Sequence, residues 1–378
     1  MAMKESGIEW VGSIPDTWDV IPNKYIMHKE KNLCEKWTGE DVMSLTMNGV
    51  IVRDLQNPTG KMPATFDGYQ YIEDGDLLMC LFDIDVTPRC IGKVTHNGVT
   101  SPAYSNFKTH DNASRDYYYY YYLMVDNTKE LLHLAKNLRH SFTEEQLGSL
   151  KVPMPPLTEQ QVIADYLNEK CSKIDDIIAE ANASVEEYKE LKQAVIDNAT
   201  MTGIHDSEMK YTDYVWFPEM PKSWNLVLAS LLFREDVRPI DANDVSLSLS
   251  QVDGLIPTDD MSERSLKSAT HDNWKHVIPD DLVLNRFKGH LGVFFASKYT
   301  GMVSFHYGVY HAIRDDVYAK YYEYLFHSTT YKNIFALKSN GITVGLQNLS
   351  NGNFYSVKIL HPTLDEQIEI VKYLDKRT

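Results

Sequence analysis

Two stretches of short apolar runs broken by turn residues flank one long run with a different period. In that run Leu167, Cys171, Ile174, Ile178, Ala181, Val185 and Tyr188 alternate steps of four and three, the spacing of a coiled-coil seam. Leu191, Val195 and Asn198 continue it after one extra three-residue step. Thr158 and Gln161 have capping-box spacing at the start, neither Pro nor Gly interrupts the run, and Gly203 stands where it should end. Roughly 40 residues rising 1.5 Å each predict a rod of about 60 Å. A rod of that length cannot bury its stripe alone and needs a mate. The helix predicted from Asp365 is the obvious one, although Thr378 follows it about four turns later. The other reading is a helix lying against one of the flanking stretches.

The flanks repeat one another about 205 positions apart. Pro15-x-x-Trp18 returns as Pro221-x-x-Trp224, and Pro155-x-Leu157-x-Glu159-Gln160 with Tyr166-Leu167 as Pro362-x-Leu364-x-Glu366-Gln367 with Tyr373-Leu374. Between these marks, Ser44–Ile51 turns at Asn48-Gly49 as Leu249–Ile256 turns at Asp253-Gly254, predicting a hairpin in each. Ile72–Leu78 matches Val277–Val283, Ile91–Val94 matches Leu291–Phe294, and Val99–Tyr104 matches Met302–Tyr307. Each flank closes with a tyrosine-rich helical segment, Tyr117–Met124 and Tyr318–Phe326. The run Tyr117–Tyr122 reads either as a helix with Tyr on packed and wet faces or as a stacking platform for bases.

Composition changes this picture little, but charge does. With 378 residues, 43% hydrophobic and 24% charged, the chain suits two or three soluble cores. The N-terminus has no signal-peptide pattern and no 18 apolar residues run together, so no membrane partner is expected. Cys34, Cys80, Cys90 and Cys171 show neither CxxC pairing nor zinc-ligand spacing and read as reduced thiols of a cytoplasmic protein with no metal site. The net charge of -16 argues against tight unaided DNA binding. Acid is densest at 157–204, with 10 acids against 4 bases, so local basic loops on the flanks stay open.

The paired openings, the two Pro-x-Leu-x-Glu-Gln starts and the exit from Ala194-Val195-Ile196 to Thr202-Gly203-Ile204 resemble the specificity subunit of a type I restriction–modification enzyme. The resemblance covers nearly the whole chain. It implies an α+β fold: two structurally similar α/β target-recognition domains joined by a long coiled-coil-type helix, a pseudo-two-fold repeat. The expected domains are residues 1–155, a central spacer at 156–204, residues 205–361, and the start of a second spacer at 362–378. It implies that each domain reads half of a split, asymmetric double-stranded DNA target, and that the spacers set the gap and dock methyltransferase subunits. Those partners would carry S-adenosylmethionine and the adenine chemistry, and a restriction subunit would cut; this chain would hold no cofactor and be catalytically silent. In the family the second spacer runs full length antiparallel to the first. Here either the chain is cut short or a second copy of it supplies the mate.

Residue patterns for catalysis are missing. Asn57-Pro58-Thr59-Gly60 has only the first half of an adenine-methyltransferase motif, and Gly60-Lys61 and Gly92-Lys93 lack the Ser or Thr of a phosphate-binding loop. Glu187-x-Lys189 lies mid-spacer, and His306 and His311 have no patterned nucleophile.

Base edges are read by Arg, Lys, Asn, Gln and hydroxyls on loops held by a rigid scaffold. Asn285-Arg286-x-Lys288-x-His290, directly after an apolar strand, is the strongest cluster; its bland alternative is a solvated hairpin tip. Lys298, His306, Tyr307 and the Ser339–Thr343 loop join it in the second flank. Arg53, Lys61, Arg89 and Lys108 are the first-flank candidates, with Cys80–Asp85 in the place equivalent to the cluster. The seam residues Leu167, Ile174, Ile178, Val185 and Tyr188 are the expected partner-binding positions. A coiled-coil scaffold with protein-binding globular ends is the alternative from a different class; capture of an adenine methyltransferase on the spacer separates the two.

Overall fold

A computed structural model describes residues 2–58, 62–135, 141–250, 253–261, 271–340 and 347–378. It divides into two compact units, Met1–Ala179 and Glu180–Thr378. Among the described residues the repetition is one of strand order. In the first unit a four-stranded sheet runs Ile91–Lys93, Leu77–Met79, Ser105–Thr109, Met27–Glu30. In the second the order is Phe294–Ala296, Leu282–Asn285, Tyr307–Ala312, Phe233–Glu235. A second sheet in each joins an antiparallel hairpin (Val42–Thr46 with Gly49–Val52; Val245–Ser250 with Gly254–Pro257) to a parallel neighbour (Gly98–Thr100; Gly301–Val303). The first unit adds the edge strand Leu33–Cys34.

The central strands are apolar without alternation because both their faces are covered: Leu77, Leu78, Leu282, Val283 and Leu284 are fully buried. Each is preceded by a bend closed by a buried aspartate. Asp76 accepts from the Glu73 N–H at 3.0 Å and Asn106 Nδ2 at 2.6 Å; Asp281 accepts from the Ile278 N–H at 2.9 Å and from Arg238 at 2.5 Å. Burial pushes both carboxyls above the usual aspartate range despite these donors.

The tyrosine segments are core helices, Arg115–Asn127 and Ala319–Phe326. Tyr117, Tyr118, Tyr121 and Tyr122 are buried, as are Tyr321 and Tyr322, and Tyr118 Oη donates to the Pro153 carbonyl at 3.0 Å. The stacking-platform reading is therefore set aside: the rings facing inward are unavailable to bases.

The two repeated motifs meet in space. Trp18 Nε1 donates to Glu159 at 2.9 Å, and Trp224 Nε1 to Glu366 at 3.1 Å. The next residue of each motif is a fully buried glutamine. Gln160 accepts from the Ser114 N–H at 2.8 Å and donates to the Pro155 carbonyl at 2.8 Å; Gln367 accepts from the Tyr318 N–H at 2.8 Å and donates to Pro362 at 3.0 Å and Asp316 at 2.9 Å. Each glutamine thus joins its own helix start to the cap of the tyrosine helix, satisfying buried backbone groups that a shorter residue would leave bare.

The spacer is one helix, Leu157–Thr202, ended by Gly203 at φ +83°. It starts one residue before the predicted cap: Glu159 and Gln160 N–H groups bond to the Pro156 carbonyl, so Thr158 lies inside the helix. The capping box is found instead at the closing helix, Leu364–Arg377, between Thr363 and Glu366. Within the second unit His205 meets Glu369 at 3.1 Å while Lys192 Nζ donates to the Thr378 carbonyl at 2.9 Å, so the closing helix runs antiparallel to the end of the spacer. The expected mating is corrected in extent: it reaches Lys192, while Ile174, Ile177, Ile178, Val185, Tyr188 and Leu191 stay exposed. No helix among the described residues is long and apolar enough to cross a membrane.

Candidate nucleic-acid interface

In the second unit Asn285 pairs with Tyr307 across neighbouring strands, so the segment after Asn285 and the turn before Tyr307 leave the sheet at the same end. A third segment joins them: Leu349 N–H donates to the Arg286 carbonyl at 3.1 Å, and Lys288 bridges Gln347. This tip presents Phe287, Lys288, Phe305, His306 and Asn348 to solvent. The His306 ring lies 5.1 Å from Phe287 and 3.8 Å from Phe305 between centroids. Phe305 is 51% exposed and Phe287 39%.

Below the tip, Glu235 gathers the donors that hold it. It accepts from Lys275 at 2.7 Å and Arg286 at 2.6 Å, and also from Asn351 Nδ2. Lys275 donates a second bond to the Tyr307 carbonyl at 2.6 Å, fixing the turn, while Arg286 also reaches Asn351 Oδ1 at 2.8 Å, fixing the loop. Burial alone would raise the Glu235 carboxyl; the Lys275 and Asn351 hydrogen bonds and the Arg286 charge hold it below the ordinary glutamate range. Arg286, at 23% side-chain exposure, is thereby placed as an anchor whose charge is matched from within. Among the described residues of the tip, Lys288 is the exposed cation.

The other candidates are scattered. Asn285 and His290 are half-buried beside the tip, and His290 Nδ1 is buried without a hydrogen-bond partner. Lys298 is exposed on the turn after Phe294–Ala296, at the opposite end of the sheet. Of Ser339–Thr343 only Ser339 and Asn340 are described, Asn340 exchanging backbone bonds with Asn348 at 3.0 and 2.8 Å. Lys61 lies outside the described residues. Arg53 is half-buried near Tyr104. Arg89 is spent on Met47, Ile91 and Tyr119 at 2.7–3.0 Å, and Lys108 pairs with Glu73 at 2.7 Å. Sequence reasoning passed over Phe287, Phe305, Gln347, Asn348 and the anchors Glu235 and Lys275. Phe287 sits inside the basic cluster, and Phe305 occupies the place of Pro102 in the repeat, which is the signal that could have found them.

Of the expected partner-binding positions, Leu167 is half-buried within the first unit, while Ile174, Ile178, Val185 and Tyr188 are exposed by half or more. Among the described residues no cluster of His, Cys, Asp and Glu is arranged to hold a metal ion.

The family model for the type I restriction modification DNA specificity domain matches residues 84–187 and again 257–377, together more than half of the chain. The chain belongs to that family. The two matches fall one in each repeat, so both units carry specificity-domain sequence. No curated protein matches the chain. Among solved structures it is similar to a chain from a study of complex assembly and conformational transition of the type I R-M system, with a TM-score of 0.64 at 13% identity, covering 96% of this chain and 90% of that one. It is also similar to the HsdS subunit from Thermoanaerobacter tengcongensis, with a TM-score of 0.51 at 13% identity over the same shares. At that identity the likeness is one of fold: two α+β specificity domains and a long central helix.

Proposed function

We propose that the chain reads a bipartite, asymmetric DNA sequence, one half per specificity domain, and docks methyltransferase subunits on the exposed seam of the spacer. The observation that carries this reading is one scaffold with two different tips. The turns Ser101–Tyr104 and Ser304–Tyr307 are closed by the same N–H to carbonyl bond at 3.1 Å, yet one displays Pro102-Ala103 and the other Phe305-His306. A shared frame with divergent loops suits two half-sites of different sequence. The acidic chain leaves much of the phosphate contact to its partners. Those methyltransferase subunits would supply S-adenosylmethionine and the adenine chemistry, a restriction subunit would cut, and this chain would act in the cytoplasm without catalysing a step itself.

A scaffold that binds only proteins would use the same exposed seam, but it gives no reason for two tips of different chemistry. The experiment is a long-read map of methylated adenines in cells expressing the chain with its methyltransferase, before and after exchanging residues 1–155 for those of a relative. One half of the methylated sequence should change. A map in which neither half or both halves change contradicts the reading.

A further inference from the structure

Among the described residues of the tip, Phe287, Phe305 and His306 form a contiguous aromatic cap, with Lys288 and Asn348 beside it. A single exposed phenylalanine is ordinary. Three rings in contact at the apex of a turn, with the outermost half exposed, are a different matter, because the apolar surface has been concentrated where it is wettest. The cap is also rigidly mounted. Buried Lys275 grips the Tyr307 carbonyl directly behind the turn, Arg286 precedes Phe287 in the chain, and both cations share Glu235 Oε1.

We propose that Phe305 is a wedge: its ring enters a base step of the half-site read by the second unit and unstacks it, with His306 and Phe287 packed behind. The inference rests on the reading that this unit binds duplex DNA. Apolar side chains on a stiff support are what partial intercalation requires, since a floppy turn would fold back on itself rather than push stacked bases apart. Charge points the same way. An acidic chain gains little from counterion release, whereas stacking on an aromatic ring needs no basic surface. Lys288 lies next to the rings to meet a flanking phosphate, and Gln347 and Asn348 offer amide groups to base edges. The first unit has the same turn but carries Pro102-Ala103, so the wedge belongs to one half-site only. Specificity would then include deformability: the wedged step is a pyrimidine–purine step, the kind most easily unstacked.

The test uses the full chain bound to its adenine methyltransferase partner and a duplex carrying the sequence methylated in cells. The fluorescent adenine analogue 2-aminopurine is placed in turn along the second unit's half-site, away from the methylated adenine. The wild-type complex should brighten one step; Phe305→Ala should return that signal to the free-duplex level with about tenfold weaker binding, and Phe305→Leu should restore much of it. Binding without brightening at any step, or brightening that survives Phe305→Ala, overturns the wedge while leaving the half-site reading intact. A wild-type complex that neither binds nor methylates DNA overturns the functional reading itself, and the wedge with it.

Discussion

The two units differ least where they are most buried and most where they meet water. Both join a Pro-x-x-Trp turn to a helix-start glutamate, both bury a glutamine under the tyrosine helix, and both close a bend with a buried aspartate. Even the donor behind the tip turn is kept in position: Gln70 Nε2 bonds to the Tyr104 carbonyl at 2.7 Å, as Lys275 Nζ bonds to that of Tyr307 at 2.6 Å. The chemistry of that donor is what changes. Gln70 is neutral and also reaches the Ser101 carbonyl at 3.1 Å, whereas Lys275 recruits Glu235 and through it Arg286. A polar anchor has become a charged network, and the loop it supports has become basic and aromatic. The frame sets where a tip stands, and the tip alone sets what it can touch.

Breaking the frame should produce the largest effects, and unequal ones. Trp224 is fully buried, with the Gly203 turn close to its ring, while Trp18 is half-exposed. Trp224→Ala should cost about 3–5 kcal/mol of second-unit stability and Trp18→Ala about half that in the first, by chemical denaturation. Equal losses would contradict the difference in burial.

The charged network should matter next, and in one unit alone. Glu235→Gln removes the shared acceptor of Lys275 and Arg286 and should destabilise the second unit by about 2 kcal/mol near neutral pH. The Glu235 carboxyl titrates below its ordinary 4.5 when folded, so its contribution is fully present above the unfolded value and is lost as pH falls through the folded one. The penalty of Glu235→Gln should therefore shrink as pH is lowered below about 4.5. A penalty that stays constant down to about pH 2 would contradict the assigned role. The smallest effect is expected at Lys288, whose alanine variant should fold normally and weaken DNA binding alike for every sequence, lowering the salt slope by about one.

Much of this architecture could be read along the chain, because repeated motifs at matched spacing and a seam free of Pro and Gly are local signals. The domain order, the spacer and its end at Gly203 follow from them. The tip was only half readable. The cluster from Asn285 to His290 stands out along the chain, but the bond of Arg286 to Glu235, 51 residues away, does not. No spacing rule reports a partner so distant, and a cation's neighbour decides whether it faces DNA or holds a loop. The Tyr117–Tyr122 run misleads for a related reason: the helix turns Tyr117, Tyr118, Tyr121 and Tyr122 inward, so composition overstates what is displayed. The seam marks the apolar stripe, but how much of it is covered depends on where the closing helix docks, and that rests on contacts such as Lys192 with Thr378.

If, as proposed, each tip reads its own half of the target from a shared frame, the decisive readout is the adenine methylome of cells expressing the methyltransferase with the double variant Gln347→Ala, Asn348→Ala. One half of the methylated sequence should become degenerate while the other stays as in the wild type. Equal relaxation of both halves, or an unchanged sequence, would contradict the proposal.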